Sequence, residues 1–195
     1  DRLLTETLVE GMQEDHDHDE EEHESSYDEH VWLSLTNAQL VCAALCDALC
    51  EIDTEHAETY RSNLEAYTAS LEQLDEAFTE TIEEAPLDTL LFGDRFPFTY
   101  LLADYDVSYY AAFPGCSTQT EPSAATVAFL TDKVRTEHIS TVWYIEFSNH
   151  LVADAIAEAA GAHTCHNVTP EELAGGETYV SLMKQNLERL KAHMG

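Results

Sequence analysis

The chain has 195 residues, of which 44 % are hydrophobic, with 39 Asp and Glu against 8 Lys and Arg and a formal net charge of −31. That apolar share suffices for a core. The charge excludes a general nucleic-acid binder, because holding phosphate takes Lys and Arg to displace its counterions. The balance suits cationic partners, and surface carboxylates that serve solubility give the same composition.

Residues 1–12 space Leu3, Leu4, Leu8 and Met12 in a way that predicts a short helix or a strand remnant. The opening "DRLLTETLVEGM" has neither an initiator Met nor an apolar signal-peptide stretch, which predicts a processed product or a fragment. No segment approaches the ~18–20 apolar residues of a membrane span. In "EDHDHDEEEHE" all eleven residues, Glu14 to Glu24, are acidic or His. Residues 14–29 are too charged to pack and predict a flexible loop. Three of the ten histidines, His16, His18 and His23, fall there within eight residues. Imidazole and carboxylate are both zinc ligands, so this loop predicts weak, exchangeable metal binding.

His30 differs. It leaves the polar run and enters an apolar one, "HVWLSLTNA", just before a helix. The pattern alone fits either a partly buried structural His or a metal ligand. The helix is predicted over about Asn37–Ile52, capped by Ser34 or Thr36. Within it Cys42, Cys46 and Cys50 recur every four residues on one face and read as small core residues. Neighbouring cysteines on one helix have poor geometry for bridging each other. Of the two remaining cysteines, Cys116 and Cys165, spacing assigns no bond.

A long helix follows, about Thr54–Glu84, on the 3- and 4-residue steps of Ala57, Tyr60, Leu64, Tyr67, Leu71, Leu74, Phe78 and Ile82. Pro86 ends it. After Pro86 strands and helices alternate: "DTLLFGD" a strand, "FPFTYLLADYD" a helix, "VSYYAAF" a strand, "EPSAATVAFLTDKVRTEH" a helix. Then come "ISTVWYIEF" a strand, "NHLVADAIAEAAGA" a helix ending at Gly161, and "GGETYVSLMKQNLERLKAHM" a closing helix. That alternation predicts an α/β fold with a parallel sheet, whose ligands bind at the carboxyl ends of the strands. Gly93-Asp94, the Phe113–Thr120 loop, Glu146 to Asn149 and Cys165-His166 lie there. No Gly-rich phosphate loop is present, which argues against a nucleotide enzyme.

"DEHVWLSLTNA" resembles the D-x-H-V-W-L-S-x-x-N-A motif of the zinc/manganese-type substrate-binding proteins of bacterial ATP-binding-cassette (ABC) importers. The order of parts is similar too: a His/acid-rich loop, the HVW motif, a long backbone helix and a C-terminal α/β domain. "FGDRFPFTYLLADY", "YYAAFPGCSTQTEPSAAT", "YIEFSNHLVADAIAEAAGA" and "CHNVT" are similar to a branch of that family found in anaerobic Gram-positive bacteria. The resemblance covers nearly all of residues 11–195. It implies a two-lobed α/β metal receptor with a long inter-lobe helix and a metal in the cleft. Residues 1–52 would be a remnant of the N-terminal lobe, 53–85 the linker helix and 86–195 the C-terminal lobe.

Carried over by position, the resemblance implies His30 as a ligand. Its second-lobe ligand falls on Asp94 or Arg95, and Arg cannot ligate a cation. Its last ligand falls on His166, with Glu146 in reserve or in support of a ligand. The strand expected near Ala162–Thr164 is short, and almost none of the first lobe is present. The implied function is an extracytoplasmic receptor, lipid-anchored or periplasmic, that captures Zn²⁺ or alternatively Mn²⁺ and hands it to a membrane permease without catalysis. Any lipid anchor lies outside this chain. Two alternatives stay open: a zinc hydrolase using His30, Asp94, His166 and Glu146, and an adhesin or pseudo-receptor that has lost tight binding.

Overall fold

The computed structural model describes residues 3–12, 27–115, 117, 121–146, 148, 150–171, 173 and 175–194. The accessory-loop histidines His16, His18 and His23, and Cys116 with its open pairing to Cys165, lie outside the described residues. A 3₁₀ turn at Val31–Leu33 leads into α1, Leu35–Ile52. Ser34 is its N-cap: the Ser34 hydroxyl accepts the Asn37 N–H at 2.9 Å, satisfying one of the donors a helix start leaves open. The long helix α2 runs Ala57–Glu84, 28 residues or roughly 42 Å. Ile82 O takes the N–H of Ala85, and Pro86, which has no N–H to give, stops the ladder.

A sheet follows, built from β1 (Thr89–Phe96), β2 (Ser108–Pro114), β3 (Thr141–Ile145) and β4 (His163–Asn167). All its pairings are parallel and the order is β2-β1-β3-β4. The crossovers are α3 (Thr99–Asp104), α4 (Ala124–Thr136) and α5 (Leu151–Ala160), and α6 (Tyr179–His193) closes the chain. β4 supplies five residues where the sequence suggested a shortened strand. The N-terminal segment contributes one bridge, Thr5 to Tyr27, antiparallel.

Alternation along the strands sets two cores. One face carries Leu90, Phe92, Phe96, Trp143 and Ile145 and packs with Leu71, Leu74 and Phe78 of α2 and Met183, Leu187 and Leu190 of α6. Leu33, Leu35 and Ala38 from the HVW region join that same core. The other face, with Leu91, Ala112 and Val142, packs under Leu130 and Val134 of α4 and Ala153 and Ile156 of α5. Gly93 permits the close approach of α5: a Cβ there would lie 2.6 Å from the Ala153 Cα. Gly161 ends α5 in the left-handed region at φ 79°, where a side chain would be strained.

α1 corrects the expectation about apolar length. Its 18 residues reach a mean hydropathy of 1.3, long and apolar enough to cross a membrane by length and composition. Here it packs on α2 and leaves Leu40, Val41, Leu45 and Ile52 exposed.

Candidate metal centre

The strand order places a switch point between β1 and β3: from β1 the chain moves to β2 on one side, then returns to β3 on the other. The two strands are paired only at Leu91–Val142 and Phe92–Trp143. Beyond Phe92 the register of β1 against β2 shifts as well. The ladder therefore opens at the carboxyl end, and Asp94 spans the opening. Its Oδ1 accepts the Arg95 N–H at 2.8 Å and its Oδ2 accepts the Ile145 N–H at 3.0 Å. The residue is 6 % exposed, and it supplies the acceptors the ladder no longer does.

His30 stands at the carboxyl ends of β1 and β2. A Cβ on Gly115, just past β2, would lie 3.1 Å from the His30 Cε1 and 2.8 Å from the Phe96 carbonyl oxygen. The absence of a side chain at Gly115 is what lets the imidazole lie against the strand ends. Asp28 orients the ring: its Oδ1 accepts both the His30 backbone N–H at 2.8 Å and the Nδ1–H at 2.9 Å. A carboxylate only accepts, so the neutral ring carries its proton on Nδ1 and presents a lone pair at Nε2. No described residue bonds that nitrogen. Burial pushes the Asp28 carboxyl up, but the hydrogen bonds and charge of His30 and a bond from Thr99 outweigh it and hold it below the usual range.

The motif is clamped from two directions. The buried Tyr100 hydroxyl donates to the Asp28 carbonyl at 2.8 Å and accepts the Leu4 N–H at 3.0 Å. The Asp28 N–H reaches the Leu4 carbonyl at 2.9 Å. The Tyr179 hydroxyl of α6 holds the Trp32 carbonyl at 2.7 Å. Residues 4–5 and 27–28 thus form a stem two residues from His30, and the chain between them carries His16, His18 and His23.

The other expected residues lie on β3 and β4. Glu146, just past β3, accepts the Thr169 N–H and, at 2.8 Å, the Thr169 hydroxyl through Oε1. Its Oε2 is buried without a hydrogen bond, and burial raises its pKa against the pull of those bonds. His166 pairs in register with Tyr144 and stacks on that ring at 5.8 Å between centroids. Its Nε2 accepts from Arg189 at 3.1 Å, and burial, with the Arg189 charge behind it, pushes its pKa down. Arg95 is half-buried on β1. Among the described residues no three His, Cys, Asp or Glu side chains converge into a complete metal cage. His30 lies by the ends of β1 and β2, Asp94 bridges β1 and β3, and His166 is turned to Arg189. Asp28 was the residue the sequence reading passed over, although it opens the very motif that singled out His30.

The fold is an α/β domain with a four-stranded parallel sheet flanked by helices. A family model described as "ZnuA: Zinc-uptake complex component A periplasmic" matches residues 3–193, and the chain belongs to that family. It is 34 % identical over 182 residues to the zinc-binding lipoprotein AdcA of Streptococcus pneumoniae, covering 91 % of this chain and 36 % of that protein. It is 32 % identical over 192 residues to the high-affinity zinc uptake system protein ZnuA of Bacillus subtilis, covering 94 % and 60 %. The Zn(II)-bound ZnuA-like domain of S. pneumoniae AdcA superposes with a TM-score of 0.71 at 31 % identity, over 86 % of this chain and 64 % of that one. The chain therefore spans about a third of the pneumococcal relative and less than two thirds of the other two.

Proposed function

We propose that this chain belongs to an extracytoplasmic receptor that captures zinc in an inter-lobe cleft and delivers it to an ABC permease. The observation that carries this reading is the oriented imidazole of His30, with Nδ1 bound to Asp28 and Nε2 offered at the open ends of β1 and β2. A neutral imidazole whose second nitrogen is held by a carboxylate is the arrangement that strengthens a zinc ligand. Family membership and zinc-named relatives support the choice of metal. Manganese is the alternative cargo, and a carboxylate-rich site would favour it.

His166 and Glu146 are the remaining candidates from this chain. Glu146 has the buried unbonded oxygen, and His166 has to part from Arg189 before its Nε2 binds metal. Both oxygens of Asp94 accept backbone N–H groups, which supports a strut across the strand opening rather than a ligand. The exposed apolar residues of α1, Leu40, Val41, Leu45 and Ile52, fit a surface covered by another lobe, with α2 as the backbone helix of a two-lobed receptor. The stem at residues 4–5 and 27–28 anchors the accessory loop beside His30, so His16, His18 and His23 raise the local metal concentration there.

The receptor role needs no chemistry on the cargo, and we assign no catalysis. Delivery to a permease places the protein outside the cytoplasm, lipid-anchored or periplasmic. Zinc titration by calorimetry on the complete protein tests the reading. One equivalent bound supports it, and no stoichiometric zinc or manganese contradicts it.

A further inference from the structure

Arg189 on α6 spends its guanidinium on neutral acceptors. Its Nη2 donates to the His166 Nε2 at 3.1 Å and to the Gln185 Oε1 at 3.5 Å, and its Nη1 donates to the Asn186 Oδ1 at 3.4 Å. None of the three is a carboxylate, in a chain with 39 Asp and Glu. Such bonds lack the bidentate carboxylate fork that makes Arg pairs strong, so the group is held but movable. The His166 ring has less freedom. Tyr144 stacks on its face at 5.8 Å between centroids. The fully buried Asn186 accepts the Val168 N–H at 2.9 Å and donates to the Val168 carbonyl at 2.7 Å, pinning the chain two residues on. A guanidinium only donates, so Nε2 carries the lone pair and the neutral ring its proton on Nδ1. That is the tautomer a metal at Nε2 requires.

We propose that Arg189 is a cationic plug on His166: it keeps the imidazole in the metal-binding tautomer, yields Nε2 to the incoming cation, and so sets how tightly the cargo is held and how fast it leaves. The inference rests on the zinc reading with His166 among the ligands. Metal and guanidinium compete for one lone pair, so each zinc captured displaces Arg189 and each zinc released is replaced by it. Their like charges repel, which keeps the two from sharing the site. The displaced group has somewhere to go: the Gln185 Oε1 and Asn186 Oδ1 already lie within 3.5 Å of its nitrogens on the same helix. Side-chain rotation alone closes it on them, with no movement of strand or helix.

The test is zinc titration of the complete protein against a competing chelator, with zinc release followed by stopped flow and metal-free melting of each variant. Arg189→Met keeps the aliphatic stem and removes the donors. Zinc then binds roughly 10–100-fold tighter, the range for one hydrogen bond from a charged group, and leaves correspondingly more slowly. Arg189→Lys still donates to Nε2 and stays near the wild type, a rescue that a packing role would not give. In a His166→Ala background Arg189→Met changes zinc affinity by no more than about twofold, because the guarded lone pair is gone. Unchanged or weaker zinc binding by a folded Arg189→Met protein, or the same gain without His166, overturns the plug. The receptor reading survives that result as long as the wild type binds one zinc that His30→Ala loses; a wild type that binds no zinc overturns both. If Arg189→Met does not fold, nitrogen NMR of the wild type decides: one equivalent of zinc shifts the His166 Nε2 and Arg189 guanidinium signals together, and an unmoved guanidinium signal overturns the proposal.

Discussion

Asp94→Ala distinguishes a strut from a ligand. In the wild type the carboxylate accepts two backbone N–H groups, at 2.8 and 3.0 Å, from a position 6 % exposed. Alanine leaves both donors without that acceptor where β1 and β3 have already ceased to pair. An orphaned buried donor costs about 1–3 kcal/mol, so the pair predicts a loss of about 2–6 kcal/mol. The assay is urea denaturation by circular dichroism with excess chelator, so that no metal contributes to stability. Asp94→Asn keeps one acceptor oxygen and falls between alanine and wild type. A metal-free loss below about 1 kcal/mol, together with abolished zinc binding, would refute the strut and make Asp94 a ligand.

Asp28→Asn removes the carboxylate that sets the His30 tautomer, and zinc affinity by calorimetry falls about 10–100-fold; unchanged affinity would remove Asp28 from the site. Because its pKa is depressed in the folded state, Asp28 stabilises the protein above its ordinary value of 3.8, and this contribution disappears as pH falls through the lower folded value. Acid titration of thermal stability reads this as a steeper loss below about pH 4 in the wild type than in Asp28→Asn. Gly93→Ala drives a methyl into the Ala153 backbone and costs about 1–3 kcal/mol in denaturation, the range for overpacking; a neutral result would mean that α5 sits farther from β1. His166 titrates below its ordinary 6.5 through burial first and Arg189 second. Arg189→Ala therefore raises its midpoint part of the way, read by histidine NMR shifts, and a fixed midpoint would assign the whole effect to burial.

Much of the fold was legible because its signals are local and periodic. The 3- and 4-residue apolar steps fixed α2, and Pro86 its end. The run "TLLFGD" announced β1, and strand–helix alternation announced a parallel sheet. The carboxyl end of β1 shows the limit. Arg95 and Phe96 extend the strand past Gly93-Asp94, where the run "DTLLFGD" ended it, because β2 pairs with them in a shifted register. That shift is a tertiary event with no local signature.

The site was legible in the same uneven way. His30 stood out because it breaks a polar run at an apolar boundary. Asp28 did not, since one more acid beside fifteen polar residues carries no contrast, and only the folded turn brings its carboxylate to Nδ1. The Arg189–His166 bond joins residues 23 positions apart on different elements, beyond reach of any spacing rule. The strut at Asp94 is invisible until β1 and β3 part.

The most direct measurement is zinc titration of the complete protein beside its His30→Ala variant, with thermal melting of each to show that both are folded. The account predicts one tightly bound zinc in the wild type and its loss in the variant, with the metal-free melting temperatures close together. Equal zinc affinity in a folded His30→Ala protein would contradict it.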